Sequence, residues 1–188
     1  MASRYGNRPT IIHRILKYIH HTAMGKEIEH KYLVINDQYI ALHTSATHFK
    51  QGYLTTDKKC VVRVRIAGDK AYLTIKGENK GATRQEYEIE IDTSMAQSML
   101  DTMCSTPIIE KTRYICPYQG HIWEVDCFEG CNEGLIIAEI ELQDELEEYK
   151  LPPFVGTNVT TLPRYYNSCL SIRPYSTWED AEKECKDI

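Results

Sequence analysis

No run of apolar residues in this chain of 188 approaches the length of a membrane span, so a helical membrane protein is excluded and no membrane partner is expected. There is no excess of basic charge either. The net charge is −5, which argues against a general nucleic-acid binder. Paired cysteines are also lacking. The seven thiols (60, 104, 116, 127, 131, 169 and 185) are odd in number and scattered, which predicts reduced cysteines in a cytoplasmic setting. Cys127 and Cys131 lie close together, but no His or Cys pair completes a zinc-ligand spacing around them. Asn158-Val159-Thr160 matches a glycosylation sequon, yet no secretory signal accompanies it, and the match is taken as chance.

Acids are absent from residues 1–26. Within that segment, Ile12, Ile15, Leu16 and Ile19 fall at helical spacing from Thr10 to His21, with His13, Arg14, Lys17, His20 and His21 on the other faces. A basic amphipathic helix fits a transit peptide or a membrane-surface helix. It also fits a helix that packs on the domain. The domain pattern begins directly after Met24, which is itself a candidate start. These last two readings are preferred, and residues 1–23 are treated as an extension, 24–175 as the domain and 176–188 as a helical tail.

From Lys26 onward, charged and apolar residues alternate with period two, the signature of strands. Arg63 and Arg65 alternate with Val62, Val64 and Ile66; Arg84, Glu86, Glu88 and Glu90 oppose Tyr87, Ile89 and Ile91. The same pattern holds around Glu27, Glu29 and Lys31, around Lys76, around Lys111 and Arg113, around Glu124 and Asp126, and around Glu139 and Glu141. That makes seven strands, and an eighth is expected near Phe154–Thr161. Helices are expected over about 37–51, from Thr93 to Met103 with Asp92 or Thr93 as N-cap, over Asp144–Tyr149, over Pro163–Leu170 and over Thr177–Cys185. A sheet with one solvated face is the ordinary outcome of such alternation. Here the charges are sorted by sign from strand to strand, while every strand keeps an apolar face that helices can cover. An α+β fold meets both conditions: an eight-stranded antiparallel β-barrel with a charged interior and helices packed outside.

Such an interior would bring together Lys31, Arg63, Arg65, Lys76, Arg84, Lys111 and Arg113. Guanidinium and ammonium groups match phosphate oxygens, and several phosphates are needed to neutralise so many cations. The carboxylates in the same channel would repel that ligand unless Mg²⁺ or Mn²⁺ bridged the two. A short linear polyphosphate, with metal, is the ligand the inventory describes.

The segment EIEHKYLV at 27–34 resembles the ExExK motif that opens CYTH domains, the triphosphate tunnel metalloenzymes. QGYL, VRVRI, LTIKG, TRQEYEIEI, IEKTRY, WEVDCFEG and GLIIAEIEL follow in that family's order over residues 25 to about 172. The resemblance is strongest to the bacterial branch, largely inorganic triphosphatases. It implies metal-dependent hydrolysis of a triphosphate in an eight-stranded tunnel. Glu27, Glu29, Glu139 and Glu141 would bind metal, and Glu86, Glu88 and Asp126 would hold a second metal or orient water. Lys31, Arg63, Arg65, Lys76, Lys111 and Arg113 would grip phosphates with Arg84 in support. Lys111 is implied as a general base, although metal-activated water without a lysine base fits the residues equally well. Tyr53 would pack or reach a phosphate, with packing preferred. His30 departs from the usual arginine but points outward by parity, and Asn158 stands where the family often has glutamate. Two alternatives stand beside the inorganic substrate: a user of organic triphosphates (thiamine or nucleoside triphosphatase, class IV adenylate cyclase) and a non-catalytic polyphosphate-binding module. The complete set of paired glutamates counts against the latter. Oligomeric state is not legible.

Overall fold

The computed structural model describes residues 28–57, 59–78, 85–104 and 107–183. The expected helix at Thr10–His21, Met24, and the candidate residues Glu27 and Arg84 lie outside them.

Nine strands form one antiparallel sheet: β1 (Ile28–Val34), β2 (Ser45–Asp57), β3 (Cys60–Ala67), β4 (Lys70–Gly77), β5 (Glu86–Ile91), β6 (Ile109–Tyr118), β7 (His121–Phe128), β8 (Ile136–Leu142) and β9 (Val155–Asn158). Their order is β5-β4-β3-β2-β6-β7-β8-β1-β9. The sheet curls so that β1 through β8 contribute side chains to one shared cavity, the tunnel-like α+β architecture. The hydrogen-bonded ladder stays open between β5 and β9 among the described residues. Turn chemistry sets the registers. Gln119 (φ 49°) and Gly120 (φ 90°) form a two-residue loop with positive φ at both positions, whose twist matches that of β6 and β7.

Three expectations need correction. The helix expected over 37–51 is a single turn, α1 (Tyr39–Leu42), and β2 takes over from Ser45. The segment after α1 is captured by strands on both sides, β3 and β6, so non-local pairing decides its conformation. The strand expected near Phe154–Thr161 exists as β9, but it flanks β1 at the edge and β2 completes the wall instead. Asp144–Tyr149 is likewise not helical. The Asp144 side chain accepts from Leu146 N–H, a local bond that competes with helix formation.

Outer faces are covered as the alternation requires. Val64 and Ala71 pack under Ala96 and Leu100 of α2 (Thr93–Thr102), whose N-cap Asp92 accepts from the Ser94 and Met95 N–H groups. Gly52 is needed here: a Cβ would lie 2.6 Å from Cys104 Sγ and 2.8 Å from Ile108 Cδ1. Ile28, Tyr32, Trp123, Val125 and Ile140 form a second outer core with Tyr39 and Phe154. His30 belongs to this outer side, its ring 5.7 Å from that of Tyr149.

The third core is built on the inner face. Ile109, Phe128 and Ile137, with Leu33 beside them, continue the inward rows of β6, β7, β8 and β1. They pack against Val159, Tyr165, Leu170 and Trp178, so the C-terminal segment fills one end of the tunnel. That segment holds a 3₁₀ turn (Pro163–Tyr165), α3 (Asn167–Leu170), a second 3₁₀ turn (Tyr175–Thr177) and α4 (Asp180–Lys183). These are shorter than the helices expected over Pro163–Leu170 and Thr177–Cys185. Trp178, assigned above to the tail, is buried in this core.

Candidate active site

Parity places the charges. Residues two apart on a strand share a face, so each inward row runs from the open mouth towards the plugged end. On β8 that row is Glu141 (exposed), Glu139 (buried) and Ile137 in the plug; on β1 it is Glu29, Lys31 and Leu33. The cavity is about 280 Å³, and its wall holds six cations and six glutamates. The cations are Lys31, Arg63, Arg65, Lys76, Lys111 and Arg113, all of them sequence candidates. Among the acids, Glu29, Glu86, Glu88, Glu139 and Glu141 were candidates and Glu124 was not.

The wall has two charged halves. On β3, β4 and β5, Arg65 Nη2 donates to both oxygens of Glu88 (3.0 and 2.9 Å), and Thr74 Oγ1 donates to Glu88 Oε2 at 2.8 Å. Arg63 Nη2 lies 3.4 Å from the same Glu88 oxygen, and Lys76 Nζ lies 2.7 Å from Glu86. On β6, β7, β8 and β1, Arg113 donates through Nε to Asp126 Oδ1 (2.6 Å), and through Nη2 to Asp126 Oδ2 and Glu139 Oε2 (2.7 Å each). Lys111 donates to Asp126, Arg113 to Glu124 and Lys31 to Glu139, and Lys31 Nζ is 2.7 Å from Glu29.

Asp126 sits differently from its expected place. It is fully buried and forms no part of the cavity wall; both oxygens are taken by Lys111 and Arg113 from behind. Its geometry is that of a support for two cations. Gln51, Glu124 and Asn167 complete the wall, and none was singled out. Glu124 was visible in the alternation of β7. Gln51 lay in the segment read as helix, and Asn167 reaches the wall only because the C-terminal segment folds back.

Burial and neighbours tune these groups against one another. Burial acts to lower the Lys31 pKa, but Glu139 and Glu29 outweigh it and hold the ammonium charged well above its usual range. Burial opposes ionisation of Glu139, yet Lys31, Arg113 and Lys111 together keep it far below the ordinary carboxylate range. Burial, then Arg113, push Lys111 downward, and Asp126 only partly restores it. Burial and the neighbouring Arg63 push Arg65 down to about 10, which leaves it charged near neutrality. A pH effect follows. The folded-state pKa of Glu139 is depressed, so its contribution to stability is complete above its usual 4.5 and is lost as pH falls below that value. Thermal melts from pH 7 to pH 3 are expected to show this fall, and Glu139→Gln is expected to flatten it.

The donor set suits a hard divalent cation. It consists of carboxylate oxygens, and two acid pairs sit directly opposite each other across strands, Glu29 with Glu141 and Glu124 with Glu139. Arg113 bridges the second pair, and the Glu29–Glu141 pair at the mouth offers carboxylate oxygens that a divalent cation would join. Among the described residues, the one His/Cys/carboxylate group whose ligating atoms all lie within 4.8 Å of one another is elsewhere, at His48, Glu110 and Glu129. It lies outside the cavity wall, with His48 Nε2 3.9 Å from Glu110 and 3.5 Å from Glu129.

A curled antiparallel sheet with a plugged end and interleaved acids and cations defines a tunnel for polyanions. Residues 25–168 match the CYTH domain family, and the chain belongs to it. The chain is 48% identical over 157 residues to an inorganic triphosphatase of Acetivibrio thermocellus, covering 84% of this chain and 100% of that protein. It is 37% identical over 150 residues to an inorganic triphosphatase of Nitrosomonas europaea, covering 78% of this chain and 97% of that one. The fold superposes on a crystal structure of an inorganic triphosphatase with a TM-score of 0.59 and 33% identity, over 79% of this chain and 96% of that chain.

Proposed function

We propose that this chain hydrolyses inorganic triphosphate in the tunnel, with Mg²⁺ or Mn²⁺. The observation that carries the reading is the wall itself: six cations and six glutamates facing one cavity of about 280 Å³. Arg63, Arg65 and Lys76 on one half, and Lys31, Lys111 and Arg113 on the other, would bind phosphate oxygens from two sides. Glu29, Glu139 and Glu141 would hold a divalent ion at the mouth, where like charges already face each other. Glu86 and Glu88 orient the opposing cations, with a second metal as their other role. A bound metal would supply charge neutralisation and an activated water. Lys111 is the protein's own candidate for accepting the water's proton, since its burial and Arg113 favour the neutral amine. Asp126 would position Lys111 and Arg113.

The two inorganic triphosphatase relatives support the choice of substrate. The six cysteines among the described residues are free, which accords with a cytoplasmic setting. No helix among the described residues is long and apolar enough to cross a membrane, and the reading calls on neither a membrane nor a nucleic acid. The test is phosphate release from tripolyphosphate, ATP and thiamine triphosphate, each with Mg²⁺ and with Mn²⁺. Tripolyphosphate is expected to be cleaved fastest, and chelation is expected to abolish cleavage. Preferential conversion of ATP, to ADP or to cyclic AMP, would overturn the proposed substrate.

A further inference from the structure

The two charged halves meet along β2, and that strand brings no acid to the seam. Its inward residues are Thr47, Phe49, Gln51 and Tyr53, all uncharged. Arg65 on β3 therefore approaches Lys111 and Arg113 on β6 across β2 without a carboxylate from that strand, while Lys111 and Arg113 share Asp126 behind them. What lies between them is the ring of Phe49. The Arg65 guanidinium carbon is 5.6 Å from the ring centroid, Lys111 Nζ 5.9 Å and the Arg113 guanidinium carbon 5.4 Å.

The contacts continue sideways. Arg65 also lies 5.4 Å from the Tyr72 ring, its direct partner across β3 and β4. Lys111 lies 5.4 Å from the Phe128 ring, its direct partner across β6 and β7. Ring and cation thus alternate from Tyr72 through Arg65, Phe49 and Lys111 to Phe128, with Phe49 at the centre and in contact with three cations. Like charges in a poorly solvated cavity repel strongly. The negative face of an aromatic ring attracts each of them. A carboxylate at position 49 would also offset the repulsion, but it would neutralise the cations and repel phosphate. A ring fixes the cations and leaves their charge available.

We infer that Phe49 is a positioning residue of the phosphate-binding site, holding Arg65, Lys111 and Arg113 apart and aimed into the tunnel through the face of its ring. The inference rests on the proposed polyphosphate site and not on hydrolysis. Its test is calorimetric titration of the full chain with tripolyphosphate in EDTA, so that binding is read without turnover. Phe49→Leu keeps apolar volume and loses the π face; binding is expected to weaken about tenfold, the scale of one desolvated ring–cation contact. Phe49→Tyr is expected to rescue most of that loss. With metal present, Phe49→Leu is expected to raise KM more than it lowers kcat. Should Phe49→Leu fail to fold, increasingly fluorinated phenylalanines at position 49 keep the shape while draining the ring face, and affinity should fall stepwise with fluorination. Unchanged binding along that series, or equal weakening in Phe49→Leu and Phe49→Tyr, would overturn the role. Wild-type protein that binds tripolyphosphate without cleaving it would instead overturn the proposed activity and leave the Phe49 role standing.

Discussion

Glu139→Gln is expected to reduce turnover of tripolyphosphate by about a thousandfold or more, the scale on which enzymes lose transition-state charge stabilisation when a site's electrostatic partners are removed. In the proposed function, Glu139 is the acid that would join metal binding to phosphate binding. It faces Glu124 across β8 and β7 and Lys31 across β8 and β1, and it accepts from both Lys31 and Arg113. Loss of its charge would weaken the proposed metal site and the hold on Lys31 and Arg113, which would keep only their other acids, Glu29 for Lys31 and Asp126 with Glu124 for Arg113. The glutamine keeps the shape and can still accept hydrogen bonds, so circular dichroism should report a folded protein. Phosphate release across a Mg²⁺ and Mn²⁺ series checks the prediction; wild-type turnover in the variant would remove Glu139 from the mechanism. Alanine is the poorer probe, because it would remove an acceptor of both Lys31 and Arg113 and open a void in a buried wall.

Asp126→Ala is expected to destabilise the fold by about 3–5 kcal/mol, the cost of breaking a buried ion pair from one side. Asp126 is fully buried, and Lys111, only 1% exposed, donates to it. With the carboxylate gone, the Lys111 ammonium has no acid in direct contact and Arg113 loses two of its acceptor atoms. Adding Lys111→Met should recover a substantial part of the loss, because the stranded charge disappears with its partner. Urea unfolding of the two single variants and the double variant measures this coupling. Additive losses would mean that the pair is not a unit. Activity should be low in all three, since each disturbs the cations that hold phosphate.

Much of this site was legible before any fold was known. Alternation placed Arg63 with Arg65, Lys111 with Arg113 and Glu139 with Glu141 on common faces, because a strand has period two whatever it pairs with. Eleven of the candidates line the cavity for that reason. Alternation could not say how deep each residue lies. Glu124 and Asp126 look equivalent along β7, yet one lines the cavity and the other is sealed behind it, because depth depends on stagger between strands. Nor could it reveal β2, whose inward Phe49 and Gln51 carry no charge and which follows closely on the helical turn Tyr39–Leu42.

The sequence by itself determined which residues share a face, and therefore that the interior is charged on both signs and suited to metal and polyphosphate. The tertiary structure decided everything that depends on contacts between distant segments. It set the pairing of β2 between β3 and β6, the plug formed when Tyr165, Leu170 and Trp178 fold back onto Ile109, Phe128 and Ile137, and the ring of Phe49 among three cations. Periodicity is a property of one strand. Register, depth and closure arise only when strands far apart in the chain meet, and local propensity carries no information about them.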